Sequence, residues 1–117
     1  DDNMANAFKS ETDTAIGTSA ATVYTCPAST QTTVIGLTVS NIVASQIEVD
    51  VQLDASTRTS GAEDSVYIIK AAPVPVGSSL VVVGGDQKVV MEPGDTIKVT
   101  SNTASSADVV LSHLEIT

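Results

Sequence analysis

From residue 81 to residue 99 the chain consists almost wholly of valine-rich runs broken by two turn signals, a pattern that short strands satisfy and helices do not. Val81-Val82-Val83 and Val89-Val90 flank Gly84-Gly85-Asp86, and a Gly-Gly pair supplies the positive φ values of a short hairpin loop. A chain reversal is therefore expected there. Glu92-Pro93-Gly94-Asp95 predicts a second reversal, because proline presets φ at the second turn position and glycine accepts a positive φ at the third. Thr96-Ile97-Lys98-Val99-Thr100 then alternates with the period of two that lays one strand face on a core.

The same pattern extends along the chain. Strands are expected at 21–26, 33–41, 46–54, 66–72, 79–83, 87–91, 95–101 and 107–116. The cleanest alternation runs from Gln46 to Asp54, with Ile47, Val49, Val51 and Leu53 on one face and Glu48, Asp50, Gln52 and Asp54 on the other. In the third segment Ile35, Leu37 and Val39 are expected to point one way and Gly36, Thr38 and Ser40 the other. The last segment changes phase, Val109 and Leu111 against Leu114 and Ile116, which predicts a bulge near Ser112-His113 or burial on both sides. Ala55 to Asp64 has no period and reads as an exposed loop. Eight short strands with turn signals every eight to twelve residues and no helical period predict an all-β fold, an antiparallel two-sheet β-sandwich of jelly-roll or immunoglobulin-like connectivity.

Residues 1–13 contain only Phe8 as a large apolar group, and they read as an extended N-terminal arm that a neighbouring subunit would hold. Residues 14–117 read as the β-sandwich domain. At 117 residues one modest core is possible and two are not. Seventeen valines and 29 serines plus threonines, against three aromatic residues, suit pleated surfaces with hydroxyl-rich outer faces. Fourteen acidic and five basic residues give a net charge of −9, which repels a phosphate backbone, so no nucleic-acid partner is expected. No apolar run approaches membrane-spanning length, and no membrane partner or signal peptide is expected.

Candidate chemistry is sparse. His113 and Glu115 share a face of the last strand, where an exposed cross-face contact is the expected arrangement, since a base also needs a nucleophile and an orienting group. Cys26 has no nearby lysine or arginine in sequence and reads as a small apolar filler. Glu48, Asp50 and Asp54 have the spacing of paired carboxylates, about 6–7 Å for i and i+2, yet the same row lines any solvated sheet face. Its other use is as a subunit contact. Asp54, Glu63 and Asp64 bracket the long loop without a calcium-loop spacing, and Gly84-Gly85-Asp86 lacks the Lys-Ser/Thr and helix of a phosphate loop. No catalytic residue, metal or cofactor is expected.

Several segments carry a resemblance: Ala5-Asn6-Ala7-Phe8-Lys9, the stretch Ala-Thr-Val-Tyr-Thr-Cys-Pro-Ala at 21–28, Thr-Thr-Val-Ile-Gly-Leu at 32–37, Ala-Pro-Val-Pro-Val-Gly-Ser-Ser-Leu at 72–80 and Glu-Pro-Gly-Asp-Thr-Ile-Lys-Val-Thr at 92–100. Together they resemble the small virion structural proteins of tailed bacteriophages, notably marine and cyanobacterial ones. The resemblance implies a β-sandwich module present in many copies: a capsid decoration (cement) subunit bound between major capsid protein subunits, or a neck, tail or fibre component. It implies a homo-oligomer whose partner is the major capsid protein or another virion protein, made in the host cytoplasm and located on the capsid surface. A carbohydrate-binding receptor module is the other class of function, for which only Tyr24, Tyr67 and Phe8 could stack on a sugar. Binding is expected through the arm and one sheet face, with Phe8 and Ile16 as anchors and Glu48 and Asp50 on the polar face.

Overall fold

A computed structural model describes residues 6–59, 61 and 63–117. Nine strands are present: β1 (Asn6–Ile16), β2 (Ala21–Thr25), β3 (Gln31–Asn41), β4 (Ile47–Asp54), β5 (Val66–Val74), β6 (Ser79–Val83), β7 (Val89–Met91), β8 (Thr96–Ser101) and β9 (Ala107–Ile116). They form two antiparallel sheets. One has the order β1-β9-β3-β6, with β7 also paired to β3, and the other has the order β2-β8-β4-β5. The connectivity is that of a jelly roll. The chain pairs with itself as one long hairpin, β4 with β5, β3 with β6 and β7, β2 with β8 and β1 with β9, and the rolled hairpin is closed by β3·β9 and β4·β8.

All eight expected strands are found, and the ninth is the segment read as an arm. From Asn6 to Asp13 it pairs residue by residue with β9, Asn6 opposite Ile116 and Asp13 opposite Val109, before a bulge leads to Ile16 opposite Ala107. The expected boundary between residues 13 and 14 therefore falls inside β1. Residues 1–5, the remainder of that arm, lie outside the described residues.

The Gly84-Gly85-Asp86 segment corrects the expected reversal. Gln87 donates to the Gly84 carbonyl at 3.1 Å, so a turn is made, but β6 and β7 do not pair with each other. Both run antiparallel to β3, β6 along its C-terminal half and β7 along Thr32–Val34, so the chain leaves the sheet and resumes in the same direction. The cause lies in β3. It has eleven residues and a bulge between Val34 and Gly36, which β9 follows on one side, while on the other side β7 pairs up to Val34 and β6 from Leu37, so the break falls at the bulge. That bulge is opposite Ser112 and His113, so the irregularity expected in β9 is carried by its neighbour. It also shifts the phase of β3: Val34, Leu37 and Val39 are buried and Ile35 is not.

Each corner where the chain changes sheet is sealed by hydrogen bonds from another corner. Ser106 N–H donates to the Ile16 carbonyl and Ser101 N–H to the Gly17 carbonyl, both at 2.9 Å, which ties the β1–β2 crossing to the β8–β9 crossing. Cys26 and the Pro-Gly turn exchange a pair, Cys26 N–H to the Asp95 carbonyl at 2.8 Å and Gly94 N–H to the Cys26 carbonyl at 3.0 Å. The long loop after β4 is less free than its composition suggests. Arg58 Nε lies 2.9 Å from the buried Asp95 carboxylate and Nη1 lies 3.2 Å from Glu92, while Thr59 N–H donates to the Pro93 carbonyl at 2.9 Å.

Gly94 is where loop and turn come closest. Its φ is +94°, and a Cβ there would lie 2.3 Å from the Thr57 carbonyl oxygen. Gly94→Ala combines a strained conformation with a backbone clash, so we expect it to lower stability by about 2–4 kcal/mol and Tm by about 8–16 °C in thermal unfolding followed by circular dichroism.

Candidate assembly surface

The alternation of β9 runs unbroken from Ala107 to Ile116, so Ala107, Val109, Leu111, His113 and Glu115 all face inward. His113 and Glu115 are thus buried, not the exposed pair expected. The pleat leaves them no other side, because Leu114 and Ile116 occupy the outer one.

Burial requires partners, and β1 and β2 supply them for both Glu115 oxygens and for His113 Nε2, while His113 Nδ1 has no hydrogen-bond partner among the described residues. Glu115 accepts from Lys9 Nζ at 2.8 Å and from the Tyr24 hydroxyl at 2.6 Å, and that hydroxyl also lies 2.8 Å from Thr32 Oγ1. His113 Nε2 is 2.9 Å from Glu11 Oε2, and its ring is stacked at 4.1 Å and 37° on the Tyr24 ring. Cys26 Sγ closes the far side of the cluster, 3.3 Å from Thr32 Oγ1 and from the Thr30 carbonyl. Lys9 and then Tyr24 hold the Glu115 carboxyl below its ordinary range, and Glu115 in turn raises the Lys9 ammonium. Burial pushes up both the Tyr24 phenol and the Cys26 thiol. A raised, enclosed thiol is a poor nucleophile, and Thr32 and Tyr24 stand between it and His113. The cluster works as a latch that binds β1 to the sandwich.

The outer faces of the two sheets differ. On the β2-β8-β4-β5 sheet, β4 presents Glu48, Asp50, Gln52 and Asp54, as the alternation predicts. Asp54 accepts from Lys98 at 2.8 Å, Ser56 at 2.6 Å and Ser65 at 2.7 Å, which holds its carboxyl far below the usual carboxylate range, Lys98 contributing most. Asp50 accepts from Lys70 at 3.2 Å and from the Ala71 N–H at 2.7 Å, capping a bulge where Ala71 has φ of +54°. Of the two polar partner-binding candidates, Asp50 is therefore engaged within the chain, and Glu48 is exposed. Lys70 Nζ also sits 4.5 Å above the Tyr67 ring and covers one side of it. Of the aromatics considered for sugar stacking, Tyr24 is buried, and Tyr67 and Phe8 are exposed.

The outer face of the β1-β9-β3-β6/β7 sheet is nearly free of charge. Pairing places Phe8, Leu114, Thr33 and Val90 in one row across it, then Ser10, Ser112 and Gly36, then Thr12, Val110, Thr38 and Val81. Among the described residues of these strands, the one ionisable side chain on that face is Asp108, at its end, and Asp108 accepts from Thr14 Oγ1 at 2.6 Å and from Ala15 N–H at 3.2 Å. Phe8 is 76% exposed, Val81 64%, Val90 60% and Val110 43%. Phe8 thus stands where an anchor can act. Ile16, the other expected anchor, is 2% exposed and belongs to the core beside Ala107.

Sequence reasoning missed this face because it needed β1 as a strand. The signal was present, with Asn6, Phe8, Ser10, Thr12 and Thr14 uncharged and Lys9, Glu11 and Asp13 between them. The period of two was written in charge, not in hydropathy.

No family model and no curated protein matches the chain. Among solved structures, it is similar to a chain from work describing Bacillus endospore appendages as a novel family of disulfide-linked pili. That likeness has a TM-score of 0.53 at 14% identity and covers 97% of this chain and 88% of the other. At that identity the likeness is one of fold.

The latch makes stability depend on pH in a definite sense. Because folding depresses the Glu115 pKa below its ordinary 4.5, the stabilisation is complete above that value and is lost as pH falls through the folded one. For Lys9, raised above 10.5, it is complete below that value and lost as pH rises through the folded one. Urea unfolding across the acid range should show Glu115→Gln losing less stability on acidification than the parent. Tyr24→Phe, which leaves Glu115 and Thr32 each short of a buried bond, should cost about 1–3 kcal/mol at neutral pH.

Proposed function

We propose that the chain is a non-enzymatic structural subunit of a bacteriophage virion: a capsid decoration protein that binds between major capsid protein subunits on the outer surface of the head. The observation that carries this reading is the division of the surface into one charged and one nearly uncharged sheet face. A chain of net charge −9 that concentrates apolar groups on a flat, uncharged sheet is built to cover that sheet with protein. The acidic face suits the outside of a particle and would be repelled by packaged DNA. The resemblance of residues 5–9, 21–28, 32–37, 72–80 and 92–100 to small virion proteins of tailed phages supports the same placement. In place of a loose arm, β1 is an edge strand latched to its own sheet, and it presents Phe8 on the face that assembly covers.

A second reading, a tail, neck or fibre component or another filament subunit, is favoured by the fold likeness to a chain of the Bacillus pili. Those pili are described as disulfide-linked. This sequence has one cysteine, Cys26, which is buried under Thr30 and Thr32, so its assembly would be held by non-covalent faces.

Antibodies raised against the purified chain should decorate the heads of intact phage particles in electron micrographs at a regular spacing. Labelling confined to tails or fibres would select the second reading, and particles left unlabelled throughout would overturn both.

A further inference from the structure

We infer that the outer face of the β1-β9-β3-β6/β7 sheet is a self-association surface, and that its occupant is the same face of a second copy of this chain. The inference depends on the chain being an assembly subunit, but not on which assembly it serves.

Charge selects the occupant. The protein is strongly acidic, so two copies approaching through the β2-β8-β4-β5 face bring rows containing Glu48, Asp50 and Asp54 together, whereas approach through the other sheet opposes almost no charge. A basic partner would gain most from the acidic face, and a like-charged one is tolerated only on the neutral face. A second copy meets that condition by construction.

Symmetry permits it. Two rows carry the apolar groups, Phe8–Leu114–Val90 and Val110–Val81, with the small residues Ser10, Ser112 and Gly36 in the row between them. A two-fold axis lying in the interface along that middle row brings the apolar row of one copy to the other apolar row of its partner copy, Val90 to Val81 and Phe8 to Thr12. The contact is isologous and closes on itself. Three strands of ten or eleven residues, with β6 and β7 together filling the fourth position, give a face of roughly 650 Å² per copy, and so roughly 1,300 Å² if the whole face is covered, within the standard range for a specific interface. Asp108 stays at the rim, already satisfied by Thr14 and Ala15.

The test is sedimentation equilibrium of the full chain, with two variants. The parent should dimerise, and Phe8→Glu combined with Val81→Glu should weaken association by roughly tenfold or more. Both positions are exposed in the monomer, so Tm at low concentration should be unchanged in that double variant. Glu48→Lys should leave the dimer intact. The inference is overturned if the parent stays monomeric up to millimolar concentration, or if the double variant associates as the parent does. None of these results bears on whether antibodies label a phage head, so the two readings fail separately.

Discussion

Everything in this molecule depends on the pairing of its first half with its second. The four strands before the long loop find their partners, in reverse order, among the five after it, so the chain is a hairpin of strand pairs rolled until β3 meets β9 and β4 meets β8. Few of these pairs are local. The outermost, β1 with β9, joins the two ends of the described chain and spans nearly its whole length. Pairing at such separation costs loop-closure entropy before any contact offsets it, which makes a jelly roll slow to form. The corner hydrogen bonds acquire their meaning here. Ser101 and Ser106 on Gly17 and Ile16, and Cys26 on Asp95 and Gly94, fasten the short crossings to one another, so that each sheet change is held from a second point in the chain.

The same topology explains the polar cluster. Strand β9 lies between β1 and β3 and keeps one inward face for ten residues, while the hydrophobic part of that face ends at Leu111. Beyond it the sandwich is closed by His113 and Glu115, whose desolvation is offset by Tyr24, Thr32, Lys9 and Glu11. A buried charge-assisted network of this kind contributes less to net stability than an apolar plug of the same volume, but it accepts only one arrangement. Slip β1 by one residue along β9 and Lys9 and Glu11 turn to the outer face, leaving Glu115 and His113 buried without partners. The cluster therefore sets the register of β1, an edge strand with a neighbour on one side only.

The sequence reveals those features whose cause lies within a few residues. The strict alternation of Ile47–Asp54, the β-branched runs and the Glu92–Asp95 turn all depend on local rules, and the strands expected from them are present. What local rules cannot see is pairing. The Gly84–Asp86 turn has the chemistry of a hairpin, yet β6 and β7 both serve β3, meeting it on either side of its bulge. His113 and Glu115 look like surface residues until β1 is laid over them. Leu114 and Ile116 suggest a phase change only if polar residues are taken to face outward. The arm, the phase change and the exposed histidine share one cause, since each follows from treating residues 6–13 as unpaired.

Once β1 is a strand, the distribution of charge becomes the most informative property of the surface. Lys9, Glu11 and Asp13 turn toward the sandwich, where the first two meet the buried partners on β9. Lys9 and Glu11 keep part of their surface in water at this sheet edge, while the outward positions of β1 hold Asn6, Phe8, Ser10, Thr12 and Thr14, which need no burial for the fold itself. A solitary domain gains nothing from keeping those outward positions uncharged: charged side chains there would leave the Lys9 and Glu11 contacts intact and improve solubility. An assembling domain gains a flat uncharged sheet next to an edge whose register is locked from below. The latch and the neutral face are therefore two sides of one strand, and stability in the latch is what leaves the outer face free for contact with another molecule.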